Sequence, residues 1–157
     1  MRKDLIFTER EAEFLRELVR QKVEFMLVGL SAATLQNAPV VTQDIDIWFK
    51  DLDSPGIRRA LKKLGGVFVP SFNGNPPMLA GDAVQLFDVV VHMHGLGSFD
   101  EEKRHTILIP FGRVKIMVLG LDRIVRSKRA LGREKDKLVL GVLEDVLAAN
   151  NRKRNRT

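Results

Sequence analysis

The chain has 157 residues, of which 45% are hydrophobic and 29% charged, and it carries a formal net charge of +6. This length predicts a single domain with its own hydrophobic core, and this composition excludes a wholly disordered chain or a fibre. The sequence contains no cysteine, which excludes a disulfide framework, a cysteine-ligated zinc site, an iron–sulfur cluster and a cysteine nucleophile, and which leads us to expect a cytoplasmic protein.

Helix and strand patterns alternate along the whole chain. Thr8 and Glu11 match a capping box at the start of the first helix, and Ser54 with Pro55 matches an N-cap followed by proline at the first helical position. In chain order, hydrophobic periodicity and turn residues predict helix 9–22, strand 23–28, helix 30–36, strand 44–49, helix 55–64, strand 67–69, loop 70–77, strand 84–91, turn 95–100, strands 106–109 and 113–119, and helices 121–131 and 134–148. This order indicates an α/β or α+β fold in which helices flank a mixed β-sheet and a helical pair ends the domain.

An uncharged stretch over residues 25–43 is nearly long enough to cross a bilayer. It contains polar and helix-breaking residues, among them Gln36, Asn37 and Pro39. We therefore interpret the stretch as a buried strand, a helix and a turn, and we expect no membrane partner.

The basic excess is concentrated at the C-terminus. We predict one domain over residues 1–149 and a basic tail over 150–157. Four basic residues follow the last apolar residue, Ala149: Arg152, Lys153, Arg154 and Arg156. The tail is interpreted as a solvated, frayed C-terminus, and a tail that seeks nucleic acid or phosphate is the alternative.

Paired carboxylates stand out in the strand over residues 44–49. Side chains two residues apart share one face of a strand, so Asp44 and Asp46 point the same way, about 6.6 Å apart along the strand. Two carboxylates aimed at one spot repel each other, and a divalent cation removes that cost. Hard oxygen ligands suit Mg²⁺, with Mn²⁺ as the alternative.

A third carboxylate, Asp88, lies inside an apolar strand, where a charge is expensive unless it is paired or binds a metal. If its strand lies beside the strand of Asp44 and Asp46, about 4.8 Å away, the three acids form one cluster. Such a cluster holds two Mg²⁺ ions about 3.5–4 Å apart, one beside the attacking oxygen and one beside the leaving phosphate. The rival interpretation of Asp88 is a buried ion pair.

Gly29 follows the strand over 23–28 and precedes a predicted helix. A strand–glycine–helix turn lets a phosphate approach the backbone N–H groups at the start of the helix, and Ser31 adds a hydroxyl donor. The signal is weak alone and stronger because it lies fifteen residues before Asp44.

The segment over residues 28–47 resembles the nucleotidyltransferase superfamily of the DNA polymerase β type. The family pattern is a hydrophobic residue, a glycine followed by glycine or serine, a spacer, and then Asp-h-Asp, where h is hydrophobic. Gly29 and the Asp44-Ile45-Asp46-Ile47 run match it, and Asp88 matches the third carboxylate. Two further runs, 118–124 and 132–136, resemble the minimal bacterial and archaeal branch that includes toxin–antitoxin nucleotidyltransferases.

This resemblance implies a mixed sheet flanked by helices, bound Mg²⁺, a nucleoside triphosphate and transfer of a nucleotidyl group. It implies that Asp44, Asp46 and Asp88 are both catalytic residues and metal ligands. The candidate nucleotide-binding residues lie in the glycine turn, before the acidic strand and on the C-terminal helices: Gly29, Leu30, Ser31, Thr42, Lys128 and Arg133. Arg133 also has the spacing of a salt bridge with Asp136.

Three other features allow two interpretations each. His92 and His94 share a strand face, but a zinc site needs a further ligand, which leaves an accessory role at the rim of the cleft. Trp48 shares a face with Asp46 and either stacks on a base or packs in the core. The loop over residues 70–82 is either a lid or a simple connection.

We predict a Mg²⁺-dependent nucleotidyltransferase that acts on an RNA end, a protein hydroxyl or a small molecule. The alternative is a non-catalytic module that binds a cognate protein, as one half of a toxin–antitoxin pair, because Leu30 replaces the second small residue of the family pattern. A nucleic-acid-binding protein that acts through its basic tail is a third hypothesis, and no RNA-recognition aromatic pattern supports it.

Overall fold

The computed structural model describes residues 7–156, and the elements follow one another in the predicted order. The helices are α1 (Glu9–Arg20), α2 (Gly29–Leu35), α3 (Pro55–Lys63), α4 (Phe99–Glu102), α5 (Leu121–Leu131) and α6 (Glu134–Asn155), and a 3₁₀ turn covers Lys103–His105. The strands are β1 (Phe25–Val28), β2 (Ile45–Phe49), β3 (Val67–Val69), β4 (Met78–Ala80), β5 (Phe87–Val90), β6 (Thr106–Phe111) and β7 (Val114–Leu119).

Five of these strands form one mixed sheet in the order β5-β2-β1-β7-β6. Strand β1 runs antiparallel to β2 and parallel to β7, while β2 runs parallel to β5. Strands β6 and β7 form the predicted antiparallel hairpin, and β3 pairs with β4 in a separate two-stranded sheet. The predicted α/β fold with a mixed sheet is confirmed.

Helix α1 covers the sheet with its apolar face. The capping box is formed as predicted: the Glu11 N–H donates to Thr8 Oγ1 at 3.1 Å, and the Thr8 N–H donates to Glu11 Oε1 at 2.8 Å. Phe14, Leu15 and Leu18 are fully buried in the core, because apolar residues at this spacing share one face of a helix. The helix thereby closes the sheet on the side that carries Ile45 and its neighbours.

The predicted C-terminal helical pair is also confirmed. Gln36, the residue that caps the end of α2, makes two hydrogen bonds at the point where this pair begins. The side chain of Gln36 donates to the Leu119 carbonyl at 2.8 Å and accepts from the Leu121 N–H at 3.0 Å. It therefore joins the end of β7 to the start of α5. Gly132, with a φ of 61°, ends α5 in the left-handed conformation and turns the chain into α6.

Two predicted elements are shorter or more exposed than expected. The strand predicted over 84–91 is limited to Phe87–Val90, because turns occupy residues 82–86. It is an edge strand and only its first residue is buried, so the expectation of a largely buried strand was wrong. Ser54 precedes α3 as predicted, but its side chain makes no capping hydrogen bond.

Three helix and strand assignments also differ from expectation. Strand β4 was not predicted, because only three residues follow the proline-rich loop and their pattern is too short to read. The turn predicted over 95–100 contains the start of α4, which Ser98 caps. Helix α6 continues to Asn155 rather than 148, because no glycine or proline interrupts it there and basic residues suit its last turn.

Candidate active site

The candidate site lies where β1 ends and β2 begins. In the antiparallel register Val28 is opposite Asp46, so the turn into α2 is beside the acidic strand. Gly29 occupies this turn with a φ of 67°, a conformation that side chains with a Cβ rarely adopt. A Cβ at Gly29 would collide with the Asp46 carboxylate. Glycine is therefore required here by both the backbone and the close approach of Asp46.

The condition set for the three-acid cluster, that the two acidic strands lie side by side, is met. Strands β2 and β5 are parallel neighbours, and Asp46 is paired with Asp88 in register. Asp44 immediately precedes β2. All three carboxylates line one cavity of about 530 Å³.

The cavity disfavours the charged form of its central carboxylate. Burial is the main cause that raises the pKa of Asp46 to about 6, and the neighbouring charges of Asp88 and Asp44 raise it further. Lys128 and Lys135 act in the opposite direction. The pKa of Asp88 is also raised, by burial first and then by the charge of Asp44. The Asp46 carboxylate forms no hydrogen bond or ion pair with another side chain or backbone group in the described part of the chain.

Basic side chains from α5 and α6 form the opposite wall of the cavity. Lys128, Arg133 and Lys135 all line it. Two of them are held by Asp136, whose side chain is 1% exposed and lies 3.2 Å from Lys128 Nζ and 2.6 Å from Arg133 Nε. The hydrogen bonds from Arg133 are the largest cause that lowers the pKa of Asp136 well below its usual range. The predicted Arg133–Asp136 salt bridge is confirmed.

The predicted nucleotide-binding residues do not all reach the cavity. Leu30, Thr42, Lys128 and Arg133 line it, and the Thr42 hydroxyl donates to the Asp44 carbonyl at 3.0 Å. Ser31 is fully buried and donates its hydroxyl to the Val28 carbonyl at 3.1 Å. The structure therefore does not present the Ser31 hydroxyl to a phosphate.

Sequence reasoning did not assign Lys135, Asp136, Leu138 and Val139 to the site, although all four line the cavity. They lie in the first turns of α6, beside Arg133. The helix break at Gly132 could have indicated their position, because a second helix that starts there brings its first turns back beside α5.

The donor set suits a divalent cation. Three carboxylates on and just before two neighbouring strands offer hard oxygen ligands, and the Asp46 side chain forms no ion pair within residues 7–156. Within residues 7–156, however, no three carboxylate or imidazole side chains already converge as a finished metal site. A bound cation would therefore have to bring the three carboxylates closer together.

The remaining candidates lie away from the acids. Trp48 is buried and packs edge-on against Phe99, with ring centroids 5.7 Å apart, which confirms the packing interpretation. His92 and His94 follow β5 instead of sharing a strand face, and their rings contact each other at 5.2 Å. The loop over 71–77 borders a separate cavity of about 450 Å³ that includes Val91 but none of the three acids.

The uncharged stretch over residues 25–43 contributes β1, α2 and a turn, as predicted. Among residues 7–156, no helix is both long enough and apolar enough to cross a membrane.

Comparison with known proteins finds a similar fold among solved structures but no matching sequence. No protein-family model and no curated protein sequence matches the chain. The solution structure of the antibiotic-resistance factor ANT(2″)-Ia is similar over the whole length of both chains, with a TM-score of 0.54 and 12% sequence identity. A crystal structure of ANT(2″)-Ia in complex with adenylyl-2″-tobramycin covers 85% of this chain and 94% of that chain, with a TM-score of 0.48 and 12% identity. The similarity over the full chain shows that the protein has a nucleotidyltransferase fold.

Proposed function

We propose that the protein is a divalent-metal-dependent nucleotidyltransferase. The observation that supports this function best is the division of charge in one cavity. Asp44, Asp46 and Asp88 lie on the sheet, and Lys128, Arg133 and Lys135 lie on the helices opposite. Carboxylates on one wall suit a metal ion, and cations on the other suit a triphosphate.

The proposed reaction transfers a nucleoside monophosphate from a nucleoside triphosphate to an acceptor hydroxyl. The hydroxyl oxygen forms a bond to the α-phosphorus, and the bond from the α-phosphorus to the oxygen that bridges to the β-phosphorus breaks. Pyrophosphate leaves, and the hydroxyl proton passes to Asp88.

Asp44, Asp46 and Asp88 are the residues that would hold Mg²⁺, with Mn²⁺ as a substitute. Two bound ions would neutralise charge on the triphosphate and lower the pKa of the attacking hydroxyl. A cation at this position would also relieve the repulsion among the three carboxylates, which adds to the effect of burial in raising the pKa of Asp46 and Asp88.

The phosphates would contact the basic wall and the glycine turn. Lys128 is only 16% exposed, and its position is held by Asp136, so little side-chain freedom is lost when it binds an anion. Gly29 itself is buried against the Asp46 carboxylate and does not line the cavity, so Leu30 is the residue of this turn that would border the phosphates. In this role Lys128 and Arg133 bind the nucleotide, Gly29 allows Asp46 to approach the turn closely, and Thr42 supports the loop before Asp44 through its hydrogen bond.

A non-catalytic binding module is the second candidate, and one observation favours it. Leu30 lines the cavity at the position where the family pattern has a small residue, and the Ser31 hydroxyl is turned away from it. Both features reduce the space and the donors available to a triphosphate. For such a module, the partner is a cognate protein, as in a toxin–antitoxin pair, and not a nucleotide acceptor. We propose a cytoplasmic location for either candidate function.

Calorimetric titration of the four nucleoside triphosphates in the presence of Mg²⁺ tests the proposal. We expect one or more to bind the wild-type protein, and binding to be lost in the Asp44→Ala/Asp46→Ala variant. The matched control is Asp53→Ala/Asp82→Ala, which removes two exposed carboxylates outside the cavity and should leave binding unchanged. Absence of binding to the folded wild-type protein would support the non-catalytic module.

A further inference from the structure

The last turns of α6 form a basic helix end that the rest of the described fold leaves uncovered. Residues 150–156 contain no apolar side chain, and residues 151–156 are all exposed. A helical segment that is polar on every side has no face to bury against its own domain. The basic end of α6 consists of Arg152, Lys153, Arg154 and Arg156, which supply most of the net charge of +6.

Helix α6 is longer than the helix on which it packs. It has 22 residues, whereas α5 has 11, which gives lengths of about 33 Å and about 16 Å. The two helices are joined at Gly132 and pack against each other. Leu143 is the last buried residue of α6. The second half of α6 therefore extends past its partner helix, and the basic end is its outermost part.

Three charges of the basic end are not neutralised by carboxylates of the described chain. Arg152, Lys153 and Arg156 form no ion pair within residues 7–156. The last acidic residue before them in the helix is Asp145, which lies about two turns, or about 10 Å, from Arg152. The Debye length is also about 10 Å at about 0.1 M salt, so the effect of this exposed carboxylate is largely screened. The basic end is therefore open to an anionic partner.

The side chains of this segment favour a nucleic acid over an acidic protein as that partner. Arg152 and Arg156 lie one helical turn apart, and guanidinium groups bind phosphates through two parallel hydrogen bonds. Asn151 and Asn155, which are also exposed, lie one turn apart beside them. Asparagine amides pair with adenine edges in DNA grooves, whereas contact with carboxylates needs only the cations.

The shape of the basic end favours duplex DNA over duplex RNA. An α-helix with its side chains is about 10–12 Å wide, and the major groove of B-DNA is about 12 Å wide and admits such a helix. The major groove of A-form RNA is deep and too narrow for side chains to read. A helix end that extends from its domain is the part of the protein that suits the DNA groove.

We propose that the basic end of α6 binds double-stranded DNA. The helix end lies in the major groove, and Arg152, Lys153 and Arg156 contact the phosphates on either side. This interaction surface uses no residue that lines the cavity of the three acids. The inference therefore goes beyond the proposed nucleotidyl transfer and does not depend on it.

Fluorescence anisotropy of a labelled DNA duplex of about 20 base pairs, or about two turns, tests the proposal. The test variant is Arg152→Gln/Lys153→Gln/Arg156→Gln. We expect it to bind the duplex at least about tenfold more weakly than the wild-type protein. The slope of log K against log salt concentration should fall in magnitude by about 2–3, because each phosphate contact contributes about 0.9.

The matched control variant is Arg58→Gln/Arg59→Gln/Lys62→Gln. It removes the same charge from three exposed residues with the same spacing on α3, and it should bind DNA almost as the wild-type protein does. Equal losses in the two variants would overturn the proposal, because binding would then depend on net charge alone.

Two further probes separate DNA from other anionic partners. A duplex RNA of the same length and polyglutamate should both bind more weakly than the DNA duplex. Binding of the RNA duplex as tight as that of DNA would refute insertion into the major groove. Equal binding of polyglutamate would identify an acidic protein as the partner instead, and the absence of saturable DNA binding would refute the proposal outright.

Discussion

Replacement of Gly29 by alanine perturbs the candidate site at its most constrained position. The residue has a φ of 67°, and an added Cβ would collide with the Asp46 carboxylate. The left-handed backbone alone costs alanine about 1–2 kcal/mol. Displacement of a packed side chain adds about 1–3 kcal/mol. We therefore expect Gly29→Ala to lower the free energy of unfolding by about 2–5 kcal/mol.

Gly65 supplies the matched control for this experiment. It has a φ of 73°, and an added Cβ would meet nothing within 4 Å. Gly65→Ala should therefore show the backbone cost alone, about 1–2 kcal/mol. Urea denaturation of both variants measures the difference, and it should shrink when Asp46→Ala is combined with Gly29→Ala. The reasoning would be refuted if the two glycine variants were equally stable, or if the Asp46 change left the difference intact.

Three further predictions concern charge and packing. The pKa of Asp46 is raised from 3.8 to about 6, so the folded protein keeps this proton where the unfolded chain has lost it. The metal-free protein should therefore lose up to about 3 kcal/mol of stability as the pH rises from about 4 to about 6. Urea denaturation across this range measures the loss, which should be absent in Asp46→Asn. Gln36→Ala should cost about 1–3 kcal/mol by leaving two backbone groups between β7 and α5 unpaired, and an unchanged melting temperature would contradict this. Glu102→Gln should cost about 3–5 kcal/mol, because the 2% exposed carboxylate is paired with Arg123 at 2.7 Å, whereas the exposed Glu101→Gln should have little effect on thermal unfolding.

Local patterns in the sequence predicted most of the elements and the acidic half of the site. The capping box at Thr8, the glycine turn at residue 29 and the alternation around Asp46 each depend on residues close together in the chain. The position of Asp88 beside Asp46 was only a condition of the predicted cluster, and the register of β2 and β5 meets that condition. The catalytic, metal-binding and nucleotide-binding roles of these residues stay predictions.

The helical wall of the site was less predictable, because its composition depends on how two helices cross. Lys128 and Arg133 were named from the sequence, but the contribution of Lys135 and the buried position of Asp136 arise from the return of α6 beside α5. The Ser31 hydroxyl donates instead to the Val28 carbonyl, three residues earlier in the chain, a local contact that the sequence analysis did not anticipate.

The sequence by itself determined the mixed sheet, its flanking helices and a pair of aspartates on one strand face, because periodicity, caps and spacing are properties of short segments. Only the tertiary structure decided that β5 is an exposed edge, that Asp136 holds two cations, and that three basic side chains lie opposite the acids in one cavity. Each of these depends on contacts between residues far apart in the chain, where burial and charge are set by packing and not by neighbouring residues.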